Sequence, residues 1–226
     1  MLSRALESSG VWMGPFKDDN AESRLFAWEL TLYLASIGVT WEYPYGAPQS
    51  LLSENYAQDR KLFLENIELK LRFMRKISFN KLVGFKHPLA SLVLEDLTML
   101  NDVKLIGILR SHREIALSLS KRKVVGKSRF IPRNYPYGIR CHDLSYGERL
   151  SLFYTDKITK FSIANRDKIF LIDYNTLVDH RYADMILRDL SAFIGKSVSL
   201  NDLNLDRNVE CDRPAILQSE ILEKYI

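Results

Sequence analysis

Three side chains in mid-chain, Arg110, Ser118 and Arg122, have the types and spacing to hold an anion. In Lys104-Leu-Ile-Gly-Ile-Leu-Arg-Ser-His-Arg-Glu114 a short apolar run ends at Arg110, and a helix begins at once, with Ser111 and Glu114 at capping-box spacing. Arg110 is then a cation at the carboxyl end of a strand, where open α/β sheets take their ligands. Ser118 lies two turns into the helix, and Arg122 follows it at i+4 on the same face. A guanidinium pairs with two phosphate oxygens at once, and a hydroxyl and a second guanidinium complete a phosphate-binding set. Eight residues of helix rise roughly 10 Å or more, so Arg110 must lie back along the helix for it and Ser118 to reach one phosphate. Each residue also has a purely structural use: an ion-paired arginine, a serine bonded back to a carbonyl, an arginine complementing a helix C-terminus.

A second pair stands at the end of Lys81-Leu-Val-Gly-Phe-Lys86. Lys86 closes an apolar run, so its ammonium either snorkels to water or enters the ligand cleft. His87 has an ordinary pKa suited to taking a proton near neutral pH; otherwise it is a solvent-facing turn residue. His112, His142 and His180 have no partner at useful spacing and read as surface residues. Asp18, Asp19 and Glu22 read as the acidic approach to a helix, where acids are favoured. Cys141 and Cys211 form neither metal spacing nor a disulfide framework, so free thiols and no metal are expected.

The elements that must position these groups follow from periodicity. Leu2, Ala5 and Leu6 recur at helical spacing, with Gly10 as a C-cap. Ala21 to Ile37 reads as a helix with Leu25, Trp28, Leu32 and Ile37 on or near one face, and Gly38 stops it. Phe26, Trp28, Tyr33 and Trp41 read as core aromatics rather than a ligand platform. Tyr43 to Pro48 is a turn-rich connection. Glu54 to Lys76 reads as a long charged helix whose apolar stripe is Phe63, Ile67, Leu71 and Met74. Strands are expected at 81–86, 103–109 and 168–173, and helices at 111–122, 147–165 and 181–194, the last stopped by Gly195; Pro88 to Leu100 turns and then becomes helical. A further helix is expected over 215–224. Between Lys121 and Tyr137 six cations occur without an acid, in a loop that either closes over an anion or is simply solvated. Near-continuous apolar strands alternating with helices predict an α/β domain, a parallel sheet covered on both faces.

The 226 residues suffice for one domain with a sizeable core. The net charge of +4 suits an anionic ligand but falls far short of a dedicated nucleic-acid binder. No apolar run approaches the ~20 residues of a membrane span and the first residues do not form a signal peptide, so a cytoplasmic location is expected.

Four blocks, in order, resemble the sulfotransferases that use 3′-phosphoadenosine 5′-phosphosulfate (PAPS). Leu2 to Gly14 is similar to the helix and turn after the family's phosphosulfate loop. Gly84-Phe-Lys-His-Pro88 is similar to its strand ending in Lys before a proline, and Arg110 to Arg122 to its 3′-phosphate segment, where Arg and Ser stand eight apart. Ile169 to Asp179 with Leu187 to Gly195 is similar to its C-terminal strand and helix. The resemblance implies a single domain over 1–226 with a three-layer, P-loop-NTPase-like fold. It implies sulfuryl transfer from PAPS to a hydroxyl or amine, without a metal. Arg110, Ser118 and Arg122 would hold the 3′-phosphate, Lys86 would neutralise the departing oxygen, His87 would serve as base, and Ser3 and Arg4 would lie against the donor. The family's Arg-Ser-Gly-Thr type of loop, with the strand before it, is missing ahead of Leu2. An N-terminally truncated chain is therefore expected, a decayed non-catalytic nucleotide- or partner-binding module being the alternative. The acceptor is expected to be a carbohydrate or small molecule, with lipid and peptide left open; the oligomeric state is not legible.

Overall fold

Two short parallel strands, covered by helices on both faces, organise the second half of the chain. The structure, a computed structural model, describes residues 2–18, 21–41, 55–79, 81–121 and 143–199. Its elements are α1 (Leu2–Ser8), α2 (Arg24–Ser36), α3 (Tyr56–Ile77), a 3-10 turn (Pro88–Leu92), α4 (Leu94–Leu97), β1 (Leu105–Leu109), α5 (His112–Ser120), α6 (Leu144–Ala164), β2 (Ile169–Asp173), α7 (Tyr174–Val178) and α8 (His180–Ile194). The chain is mixed α/β and mostly helical, and no described helix is long and apolar enough to cross a membrane. Arg122, Asp19, most of the basic loop, both cysteines, His142, the turn 43–48 and the expected helix at 215–224 lie outside the described residues.

β1 and β2 pair in parallel from Leu105↔Ile169 to Leu109↔Asp173. Every residue of β2 is buried, as a strand covered on both faces must be. Phe170 and Ile172 point with Ile106 to one side, against α1, α7 and α8 through Leu6, Leu177, Leu187 and Leu190. Ile169 and Leu171 point with Leu105 and Leu109 to the other, against Leu94 of α4 and Ile158 and Phe161 of α6. This is the alternation of a pleated strand read on its two faces.

The expected strand at 81–86 is not formed. Its pairing is a single parallel bridge between Trp12 and Val83, closed by Trp12 N–H to the Leu82 carbonyl (2.8 Å) and Gly84 N–H to the Trp12 carbonyl (3.0 Å). The partner segment cannot continue the ladder: Gly14 takes φ +81°, and Pro15 has no N–H to give. Among the described residues the sheet therefore has two strands rather than the three expected.

The first half is a helical layer. On α3 the predicted stripe is buried: Phe63, Ile67, Leu71 and Met74 all face inward. On α2 the predicted face is corrected. Phe26, Leu30, Tyr33 and Leu34 are buried, whereas Trp28 and Leu32 are half exposed. Three of the four expected core aromatics of this region, Phe26, Tyr33 and Trp41, do join the core cluster, and Phe26 stacks on Phe85 at 4.0 Å. Buried Asp96 ties α2, α3 and α4 together, accepting from the Tyr33 hydroxyl (3.3 Å) and from the Arg60 guanidinium. Burial, then the Tyr56 hydroxyl and the Asp96 charge, drive the Tyr33 pKa far upward, so the phenol stays protonated as a donor.

Helix ends follow local chemistry. Asp143 accepts the Ser145 and Tyr146 amides at the start of α6, and Asp179 accepts the Arg181 amide at the start of α8. Gly195 closes α8 at φ +70°, the left-handed position that favours glycine. α5 crosses α6 where Gly147 meets Ala116; a Cβ at 147 would stand 3.1 Å from the Ala116 Cα, so a larger residue would force the helices apart.

Candidate functional site

Arg110 leaves β1 at its carboxyl end, one residue beyond Leu109, which is paired in register with Asp173 at the same end of β2. Tyr174 follows Asp173, and the Arg110 guanidinium lies over the Tyr174 ring, 4.7 Å from its centroid. Neither strand end alone makes this arrangement; the register does. Asp173 is buried and turned into α7, accepting from the Thr176 amide (3.0 Å) and the Thr176 hydroxyl (3.2 Å).

The capping box expected at α5 is not closed. Ser111 occupies the N-cap without a side-chain bond to the helix, and Glu114 instead accepts from Arg110 Nε at 3.2 Å. The reason is competition: a carboxylate gains more from a guanidinium than from a neutral amide. Arg110 thus uses its Nε and one ring-stacked face, and among the described residues neither of its Nη groups donates a hydrogen bond. Its side chain is 41 % exposed. Two terminal donors at a sheet edge, on a guanidinium steadied from beneath by an aromatic ring, can receive a planar or tetrahedral oxyanion.

Ser118 is exposed on α5, one turn beyond Glu114, and among the described residues no hydrogen bond joins it to Arg110. Lys86 and His87 are not joined to Arg110 either; they belong to a second cluster. The Lys86 side chain is exposed, and its carbonyl accepts the Ser23 amide at 2.8 Å. His87 caps the 3-10 turn, its Nδ1 accepting from the Leu89 amide at 3.2 Å. That bond uses the only lone pair of the neutral ring, so taking a proton there would mean giving up the cap. Asp18 faces the same ring: it raises the His87 pKa, against the larger lowering from burial and a smaller one from Lys86. Ser3 is buried in α1 and Arg4 is exposed beside it.

Sequence reasoning missed three participants. Tyr174 carried no signal except its place after an apolar strand. Glu114 was assigned to the wrong partner. His112, expected at the surface, reaches across to α6, where its Nδ1 lies 3.0 Å from the buried Ser151 hydroxyl. The signal for that approach was present: Gly147, Ser151, Thr155 and Thr159, small residues every four positions, form the side of α6 that admits a close neighbour.

Burial lowers the pKa of both His87 and His112 below the ordinary 6.5, with Glu148 partly opposing this at His112. A histidine held neutral by the fold binds its proton more readily in the unfolded chain. Its contribution is therefore complete above the unfolded pKa and is lost as pH falls through the folded one. Chemical denaturation between pH 7.5 and 5 is expected to show stability falling below about pH 6.5. The His87→Asn/His112→Asn variant, which keeps a capping acceptor at 87, is expected to flatten that slope; an unchanged slope would assign it to other groups.

Comparison of the chain with protein-family models, with curated proteins and with solved structures finds no match.

Proposed function

We propose that this chain is a sulfotransferase that moves the sulfuryl group of PAPS to a hydroxyl or amine acceptor in the cytoplasm, with a carbohydrate or small molecule as acceptor. One observation carries the proposal: Arg110 stands at the carboxyl edge of two parallel strands, over the Tyr174 ring, with neither terminal nitrogen hydrogen-bonded among the described residues. The resemblance supplies the donor and the three-layer fold, and two parallel strands with helices packed against both faces support that reading. In this proposal Arg110 holds the 3′-phosphate, with Ser118 and Arg122 farther along the same segment. Lys86 neutralises charge on the oxygen that leaves with the nucleotide, and Ser3 and Arg4 lie toward the phosphosulfate. Sulfuryl transfer asks the protein mainly for in-line alignment and charge neutralisation, which cations supply without a metal.

His87 favours a second reading. With its lone pair committed to the Leu89 amide, the expected base is engaged elsewhere, as in a non-catalytic module that binds the nucleotide without turning it over. Titration calorimetry with 3′,5′-ADP and ATP, followed by a transfer assay from labelled PAPS to a panel of hydroxyl and amine acceptors, separates the possibilities. Binding of 3′,5′-ADP in preference to ATP, with transfer, is the expected result. Binding without transfer selects the module, and failure to bind 3′,5′-ADP rejects both.

A further inference from the structure

Phe79 stands just past the end of α3, where helices commonly place a glycine. The helix closes on buried Ser78, whose N–H reaches the Met74 carbonyl (3.0 Å) and whose hydroxyl donates to the Arg75 carbonyl (3.1 Å). The next residue, Phe79, takes φ +56°, a left-handed conformation that a Cβ disfavours. Two other described non-glycine residues share it, Ala21 and Asp102; one is small, and the other has the short polar side chain that tolerates it. A bulky ring held there is strained, and such strain persists where packing or function requires it. Packing does not require it here, because Phe79 is 91 % exposed. The fold gains neither backbone ease nor burial from this ring, so its use lies outside the fold.

The neighbours of Phe79 define what the ring meets. Ile77 and Leu82, on either side of it in the chain, are 41 % and 47 % exposed. Arg75, Lys76 and Lys81 are exposed among them. None of these three cations is ion-paired among the described residues, whereas Lys70 and Arg72, earlier on α3, pair with Glu29 and Glu68. Between Glu68 and Glu95 the sequence holds six cations and no acid. The helix dipole accounts for Arg75 and Lys76 in the last turn, but not for Lys81 beyond the helix or for the apolar side chains beside them. We propose that this tip docks on an anionic membrane surface. Phe79, Leu82 and Ile77 enter the boundary between headgroups and acyl chains, and Arg75, Lys76 and Lys81 stay level with the lipid phosphates. That boundary selects apolar side chains flanked by cations. A stable protein partner needs a patch of roughly 800 Å², which three side chains at one helix end do not supply. A bilayer needs no matching patch, because each side chain inserts by itself. Docking through so few groups is reversible.

Co-sedimentation of the full chain with phosphatidylcholine vesicles, with and without phosphatidylserine, tests this. Binding to the vesicles that contain phosphatidylserine, lost at high salt, is expected, with little binding to phosphatidylcholine alone. Phe79→Gly separates docking from a structural use of the ring. It is expected to weaken vesicle binding about tenfold and, by relieving the backbone, to raise the melting temperature by roughly 2–4 °C. Arg75→Gln/Lys76→Gln/Lys81→Gln is expected to abolish the preference for phosphatidylserine with helical content preserved. Absence of binding, equal binding to both kinds of vesicle, binding indifferent to Phe79→Gly, or a Phe79→Gly variant that melts at a lower temperature would each overturn the proposal. None of these variants touches Arg110, so the result is independent of nucleotide binding.

Discussion

Replacing Arg110 with alanine is expected to weaken 3′,5′-ADP binding by about 2–3 kcal/mol, the scale of a hydrogen-bonded charged partner, or roughly 30–150-fold. Adenosine 5′-phosphosulfate, which lacks the 3′-phosphate, should lose far less. The comparison decides the assignment, because equal losses for both nucleotides would mean that Arg110 supports the fold of the edge and does not touch the phosphate. Glu114 is the obvious objection, since its carboxylate already accepts from Arg110 Nε. Magnitudes answer it. The pair is only partly buried, 41 % and 33 % exposed at the two side chains, and a solvent-accessible i,i+4 pair contributes about 0.3–0.5 kcal/mol. A phosphate dianion on the two Nη groups outweighs that several-fold, whether or not Glu114 moves. Glu114→Gln should accordingly tighten 3′,5′-ADP by a few-fold, the opposite sign from Arg110→Ala, by removing a negative charge from beside the incoming phosphate. Titration calorimetry on the two variants with both nucleotides gives all four numbers.

Which parts of this site could be read from sequence follows from how local each determinant is. The strand–arginine–helix order expected over 103–122 is set by short-range patterning, and the structure forms it with the strand starting at Leu105 and the helix running from His112 to Ser120. The α3 stripe was legible for the same reason, since 22 residues give six turns over which the period is unmistakable. The partner of Glu114 was not legible, because Ser111 and Arg110 are both within its reach and only the energies of the two bonds separate them. Tyr174 was not legible because its meeting with Arg110 depends on the register of β1 against β2, a contact across 64 residues of chain. The segment at 81–86 had the composition of a strand but not the partner, and strand formation is a property of pairs. His112 was set aside because its neighbour lies on another helix, and no spacing rule within one segment reaches that far.

The rotation of α2 is the clearest case of a local pattern misleading, and it yields a sharp expectation. Apolar residues surround this helix, Leu25, Phe26, Trp28, Leu30, Leu32, Tyr33 and Leu34 among them, so periodicity alone favours no face and the bulk of Trp28 suggested the wrong one. Packing decides instead. Tyr33 must reach the Asp96 carboxylate and stack on Phe63 at 4.4 Å, while Phe26 stacks on Phe85, and these contacts turn Leu30 fully inward. Leu30→Ala should then cost about 2–5 kcal/mol through lost transfer energy and a cavity, lowering the melting temperature by roughly 5–15 °C for a chain of this size. Leu32→Ala, two residues away and half exposed, should stay within about 0.5 kcal/mol. Both are measured by chemical denaturation. The two outcomes exchange if Trp28 and Leu32 line the core after all: Leu32→Ala would then carry the large loss, the Tyr33–Asp96 bond could not form, and Tyr33→Phe would be silent. With the rotation described here, Tyr33→Phe removes a buried donor from Asp96 and is expected to cost about 1 kcal/mol or more, so the three variants together fix the orientation of the helix.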